Sequence, residues 1–321
     1  MRVRGCSGTL MIVAALAMAP GARAETGRLA DFSAKFTTRY PSTPSGLEVH
    51  VFLKRADDPD AKPSPLRSAV IRGPDGLRFD TGAMNECEAS DDELRALGAD
   101  ACPDDTLLTV GSFSAMGGFG PADPIAGDNH VFNGPEQIIE VITVPDGSAS
   151  PAFDRLTIDG STLTAHPPVA PGGPPDGESS VRSLDYAIPV RRGAGGRSFL
   201  TTPPSCPSGG EWKTVATFGF KDGTSDSVTS VSPCATPRLS LTVKPGRVLL
   251  GKKTRLRFRV TSPSPACIAG ATIRLGKRTV RTGPGGRAAL SATFRNPGAR
   301  RARATRPGCR AARAPVHVRR G

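Results

Sequence analysis

Leu47-Glu48-Val49-His50-Val51-Phe52-Leu53-Lys54 decides the fold class. Leu47, Val49, Val51 and Leu53 fall on one side of an extended chain, with Glu48, His50 and Phe52 between them. That period of two is what a half-buried strand requires. Arg255-Leu256-Arg257-Phe258-Arg259-Val260 repeats it, with arginines on one face and apolar residues on the other. Working outward, the same patterning predicts strands at Phe32 to Thr38, Ser68 to Ile71, Leu77 to Phe79, Leu107 to Phe113, Ile138 to Val144, Leu156 to Ile158, Leu184 to Val190, Trp212 to Phe220 and Ser225 to Val231. The joints are rich in turn residues, as in Gly73-Pro74-Asp75-Gly76, and the Gly193 to Gly196 run reads as a hairpin tip. Short strands with such joints make an all-β chain, a sandwich or barrel.

One short helix is signalled. Ser90 and Glu93 form a capping box, Leu94 and Leu97 supply an apolar side, and Gly98 ends it. Residues 164–180 carry no strand pattern and read as a mobile surface loop. Trp212, the sole tryptophan, sits between Cys206 and Cys234 and is expected to fill the interior rather than form a sugar platform.

Charge divides the chain. Residues 236–321 contain 22 Lys plus Arg and no Asp or Glu, whereas residues 25–235 hold all 29 acids against 17 bases. An acidic body and a basic end follow, and the basic end should attract polyanions. Arginine is common throughout, as a GC-rich gene would give, but that does not explain 86 residues without an acid.

Residues 1–24 read as a secretory signal peptide. Arg2 and Arg4 precede the apolar stretch Leu10 to Ala19, Pro20 breaks it, and Ala22-Arg23-Ala24 fits a cleavage site. The stretch is shorter than the roughly 18 apolar residues that span a bilayer, and Cys6 should leave with the leader. No transmembrane segment is expected in the mature chain, which is placed outside the cell, in solution or at the surface.

Six cysteines remain: Cys87, Cys102, Cys206, Cys234, Cys267 and Cys309. An oxidising compartment favours disulfides. Six cysteines allow 15 connectivities, and their clustering suggests 87–102, 206–234 and 267–309, each contributing roughly 3–4 kcal/mol in a chain-entropy estimate. No spacing of the structural zinc type appears.

Residues 237–321 read as about seven short strands, the size of an immunoglobulin-like sandwich. This segment resembles bacterial immunoglobulin-like and carboxypeptidase-regulatory-like domains. The likeness rests on Ala271-Thr-Ile-Arg-Leu-Gly276, Thr282-Gly-Pro-Gly-Gly-Arg-Ala-Ala-Leu290, Asn296-Pro-Gly298 and Val316-His-Val318. It implies a β-sandwich with a spacer, adhesion or display role. Gly283-Pro284 stands where that family's turn often carries an acid, which argues against calcium there. The body resembles a group of secreted proteins of high-GC bacteria, on Leu200-Thr-Thr-Pro-Pro-Ser-Cys206-Pro and Phe79-Asp-Thr-Gly-Ala83, a likeness that implies no mechanism.

The sequence carries no G-x-S-x-G elbow, H-E-x-x-H, P-loop or dinucleotide fingerprint. His50 and His317 read as exposed strand residues, and His130 near Asp128 is the one histidine to inspect. Asp57-Asp58-Pro59-Asp60 and Asp222 to Asp226 could offer oxygens to calcium, but turns use the same residues. No metal and no cofactor is expected.

The expectation is a non-enzymatic surface or matrix protein with a disulfide-bonded β-sandwich body (25–235), a joint at Thr236-Pro237 and a basic immunoglobulin-like sandwich (237–321). Arg255, Arg257, Arg259, Arg300, Arg301 and Arg303 are the candidate polyanion-binding residues. Their partner is expected to be an anionic cell-envelope polymer or surface glycan. Nucleic acid is not expected, since export and the lack of interleaved stacking aromatics argue against it. The alternatives are docking of the basic end on the acidic body, a hydrolase with its site near Asp128, His130 or the 164–180 loop, and a ligand-free spacer.

Overall fold

The computed structural model describes residues 28–118, 124–145 and 150–321. The leader expected over residues 1–24 lies outside them. The described residues are all-β apart from one helix and a few 3-10 turns.

The body runs through β1 (Ala30–Phe36), β2 (Leu47–Leu53), β3 (Leu66–Arg72), β4 (Arg78–Phe79), α1 (Asp91–Leu97), β5 (Leu107–Met116), β6 (Pro124–Gly134) and β7 (Gln137–Thr143). It continues through β8 (Ala152–Asp159), β9 (Thr162–Ala165), β10 (Ser180–Ile188), β11 (Leu200–Thr201), β12 (Glu211–Phe220) and β13 (Ser225–Pro233). Eleven of these strands join one sheet in the order β1-β2-β10-β5-β6-β7-β8-β9-β3-β12-β13. All of its pairings are antiparallel.

The sheet folds over on itself until its two edge strands meet. The free edge of β1 faces inward side chains of β13. Ala34 N–H donates to Ser230 Oγ at 3.0 Å, Phe36 N–H to Ser232 Oγ at 3.2 Å, and Leu29 and Ala30 N–H to Asp226 Oδ2 at 2.9 and 3.1 Å. Side-chain oxygens thus replace the ladder at the seam, and the edge is covered. One apolar core lies inside, with Leu53, Leu108, Ile138, Ile188, Trp212 and Phe218 buried in it. Trp212 packs edge-on against Phe36 and donates to the Ser205 carbonyl at 3.0 Å.

Helix α1 covers the outer face of β6 and β7, where Leu94 packs with Phe132, Ile139 and Val141. Its capping box is formed, with Glu93 N–H on Ser90 Oγ at 3.3 Å and Ser90 N–H on Glu93 Oε2 at 2.8 Å. The Cys87–Cys102 disulfide joins the segments on either side of it. The Cys206–Cys234 and Cys267–Cys309 disulfides complete the three pairs that clustering suggests.

Strand β6 escapes the sequence pattern, which marks His130 and Asp128 there but no strand. It is an eleven-residue strand whose inward positions include Asn129 and Asn133, so its alternation is not one of apolar and polar residues. The loop expected at 164–180 is a loop between its ends: Thr164 and Ala165 end β9, Ser180 begins β10, and ion pairs tie Asp176 and Glu178 of the intervening segment to the body. Lys62 meets Asp176 at 2.6 Å, and Arg67 and Lys221 both meet Glu178 at 2.6 Å.

The basic segment holds β14 (Ser240–Lys244), β15 (Arg247–Leu249), β16 (Thr254–Thr261), β17 (Thr272–Leu275), β18 (Arg278–Arg281), β19 (Arg287–Ala292), β20 (Gly298–Arg306) and β21 (Cys309–Arg319). They form a three-stranded sheet, β14-β16-β19, and a five-stranded sheet, β15-β21-β20-β17-β18. Both contribute to one core, with Leu256, Phe258 and Val260 from the first and Ile273, Ala302, Ala304 and Val316 from the second. This is a two-layer sandwich. Its core shares no residue with the core of the body. Near the joint, Ala235 N–H donates to the Arg39 carbonyl at 2.8 Å and Ser264 Oγ to the Pro41 carbonyl at 2.9 Å.

Candidate functional site

The alternation of β16 places Arg255, Arg257 and Arg259 on the solvent face of the three-stranded sheet, with Leu256, Phe258 and Val260 buried behind them. Register adds to the face: Lys244 of β14 stands opposite Arg257, and Arg287 of β19 stands opposite Arg259. Five cations therefore line one shallow depression. Like charges directly opposite each other across strands are destabilising, and no carboxylate in residues 236–321 is available to offset them.

The other three candidate arginines do not join that face. Arg301 and Arg303 belong to β20 in the other sheet. Arg303 faces Arg313 on one side and Arg274 on the other, a second row of like charge. Arg300 is in register with buried Val316, on the inner side of β20, yet is exposed. The six residues thus do not share one face. All ion pairs among the described residues lie in the body, so none joins the basic segment to it.

The histidines and acids singled out in the body find local roles. His50 is half exposed and hydrogen-bonds Asp185 on the neighbouring strand β10. Asp128 and His130 share the outer side of β6, where His130 stacks on Phe132, and no hydrogen bond joins the two among the described residues. Asp57 pairs with Arg55, Asp222 accepts from Thr224, and Asp226 holds the seam. Among the described residues no group of three or more His, Cys, Asp or Glu gathers as metal ligands would.

A second feature was not read from the sequence. Inside the folded sheet lies a cavity of about 160 Å³, walled by Val49, Val51, Phe113, Ile142, Leu184 and Phe218 among others. Pro167, Pro168, Ala170 and Ser179, from the segment pinned by ion pairs, contribute to its lining. Its polar contributors are Glu140, Asp154, Tyr186, Ser179 and Ser180. Glu140 on β7 stands directly opposite Asp154 on β8, so both carboxylates project to the same side. Burial, then the charge of Asp154, raises the Glu140 carboxyl to about 7. The Tyr186 hydroxyl and the Asn129 amide both stand near it, and both polar atoms of Asn129 are buried without a hydrogen-bond partner. Burial also raises Asp154, and raises the Tyr186 hydroxyl well above its ordinary value, with Glu140 adding to the latter. Glu140 Oε1 and Ser180 Oγ are both buried without a hydrogen-bond partner. The signal in the sequence was the lone acid in the apolar run Gln137-Ile-Ile-Glu-Val-Ile-Thr143.

No protein-family model matches this chain, and no curated protein does either. Among solved structures, it is similar to BcpA, the major pilin subunit of Bacillus cereus, in its D312A form. The identity is 10%, over 91% of this chain and 68% of that one, with a TM-score of 0.29. The D00-D0 domain of intimin is 11% identical over 39% of this chain and 74% of that one, with a TM-score of 0.19. Murine CEACAM1b is 10% identical over 91% of this chain and all of that one, with a TM-score of 0.21. Identities and scores this low say nothing about what this chain binds.

Proposed function

We propose that the chain is an exported, non-enzymatic surface or matrix protein. The outer face of its β14-β16-β19 sheet holds it to an anionic envelope polymer and leaves the acidic body displayed. The observation that carries this reading is the unrelieved cation row. Lys244 faces Arg257 and Arg259 faces Arg287, in a segment without a single acid. A polymer bearing regularly spaced phosphate or carboxylate groups would relieve that repulsion, and guanidinium groups suit both anions through paired N–H donors. Contacts of this exposed kind weaken as salt screens them.

The test is retention of the full-length mature chain on immobilised polyphosphate and on immobilised polygalacturonate across a salt gradient. Replacing Arg255, Arg257 and Arg259 together by serine should move elution to clearly lower salt. Replacing Arg301, Arg303 and Arg313, on the opposite face, should move it less. Equal shifts for the two triple variants would reduce the binding to net charge. Elution of the first variant with the parent chain would refute the assignment of the face.

A further inference from the structure

The cavity of the body makes a different demand from the basic sandwich. It brings two carboxylates, Glu140 and Asp154, together across adjacent strands inside an apolar wall, and no Lys or Arg lines it. Burying a carboxylate without a partner is costly, and two that face each other compound the cost. Proteins ordinarily avoid this by pairing buried charges. Glu140 Oε1 has no hydrogen-bond partner, and Ser180, 1% exposed, leaves its hydroxyl unpaired against the same space. Asp154 Oδ1 accepts from His166 N–H at 3.3 Å, but Glu140 Oε1 has no donor and no Lys or Arg lines the space; an ammonium group, with three N–H donors and one positive charge, is the complement.

The remainder of the wall sets the rest of the ligand. A cavity of about 160 Å³ is close to the roughly 150 Å³ apolar cavity that accepts benzene. The occupant is then a body of six or seven carbon atoms, without polar groups away from its nitrogen.

We propose that this cavity binds a small apolar primary amine, its hydrocarbon part held against Phe113, Ile142 and Phe218 and its ammonium seated between Glu140 and Asp154. Ser180 and Tyr186 complete the polar end. The segment from Pro167 to Ser179, fixed by Lys62–Asp176 and Arg67–Glu178, closes over the site as a preformed cover. The site is independent of the polyanion face and draws on a different part of the chain.

Titration calorimetry of the full-length mature chain at pH 8 decides the matter, with benzylamine, toluene and benzoate as probes. Benzylamine should bind saturably and at least tenfold more tightly than toluene, and benzoate should not bind. Glu140→Gln keeps the side-chain volume and should weaken benzylamine at least tenfold while leaving toluene unchanged. Asp154→Asn should act in the same direction and provides a second reading if the first variant folds poorly. Toluene binding as tightly as benzylamine, benzoate binding better than either, or no saturable benzylamine binding would each overturn the proposal.

Discussion

Ser230→Ala tests how the body closes. The Ser230 hydroxyl is buried and serves two backbone groups of one residue: it accepts from Ala34 N–H at 3.0 Å and donates to the Ala34 carbonyl at 3.0 Å. Removing it leaves the N–H with no partner. The carbonyl retains only a long contact, 3.4 Å, from Ser232 Oγ. A buried backbone group left unsatisfied costs about 1–3 kcal/mol. With one group stranded and one weakened, the loss should be about 2–3 kcal/mol. Ser232→Ala strands Phe36 N–H and should cost less, about 1–2 kcal/mol. Ser227, on the outward side of the same strand, bonds only exposed Thr217, and its alanine variant should change stability by less than about 0.5 kcal/mol. Urea unfolding followed by tryptophan fluorescence reads this cleanly, because the one tryptophan, Trp212, lies in the body core beside Phe36. With a slope of roughly 2–3 kcal/mol per molar urea, the Ser230→Ala midpoint should fall by about 1 M. If Ser230→Ala and Ser227→Ala shift it equally, the side-chain seam does not hold the sheet closed and the reasoning is refuted.

Two further perturbations address other parts of the chain. Because the Glu140 carboxyl rises from its ordinary 4.5 to about 7 in the fold, the folded state holds a proton that the unfolded chain gives up between those values. Stability from this group is therefore complete below about pH 4.5 and lost as pH rises through 7, by about 3 kcal/mol. Asp154, raised as well, acts with the same sign. Glu140→Gln should flatten the fall in urea midpoint between pH 5 and pH 8 and make the chain more stable than the parent at pH 8. An unchanged pH profile would show that Glu140 is ionised at little cost. In the basic sandwich, Gly286 has φ +72°, and an added Cβ would lie 2.2 Å from the Val260 carbonyl oxygen. Gly286→Ala should cost more than about 1 kcal/mol. It should lower the melting of that sandwich by circular dichroism while leaving the Trp212 transition in place. Movement of both transitions together would show that the two cores unfold as one.

What could be read from the sequence tracks what each strand turns inward. β2 and β16 were legible because they bury Leu, Val and Phe at alternate positions. β20 was not: its only fully buried residues are Ala302 and Ala304, and it carries arginine on both sides, Arg301 and Arg303 outward and Arg300 on the inner side. Alanine is small because Ile273 on β17 and Ala314 and Val316 on β21 crowd that layer of the core, and a hydrophobic pattern made of alanine barely registers. β6 failed for another reason, since Asn129 and Asn133 occupy its inward positions. β7 was found, but its meaning was not. It is apolar on both sides because helix α1 covers its outer face, so Glu140 could be recognised as inward only once that cover was known. The arginines of β16 were legible as one face. Their separation from Arg301 and Arg303 depends on which strands pair, which alternation alone does not encode.

The position of the charges bears on why they are there. In β16 and β17 the core is made by inward Leu, Phe, Val and Ile, while the arginines stand at outward positions. The same outward surface accepts Thr242, Thr279 and Ser291 in register with them. Packing therefore requires a polar residue at these sites but not a positive one. Opposing cations cost stability wherever two meet, so folding by itself would favour an acid at one member of each pair. A GC-rich gene would give abundant arginine and alanine. It does not explain the lack of Asp and Glu, which the first 235 residues use 29 times. Packing is thus indifferent to the sign of these residues and folding is opposed to their pairing, so the fold by itself accounts for neither Lys244–Arg257 nor Arg259–Arg287.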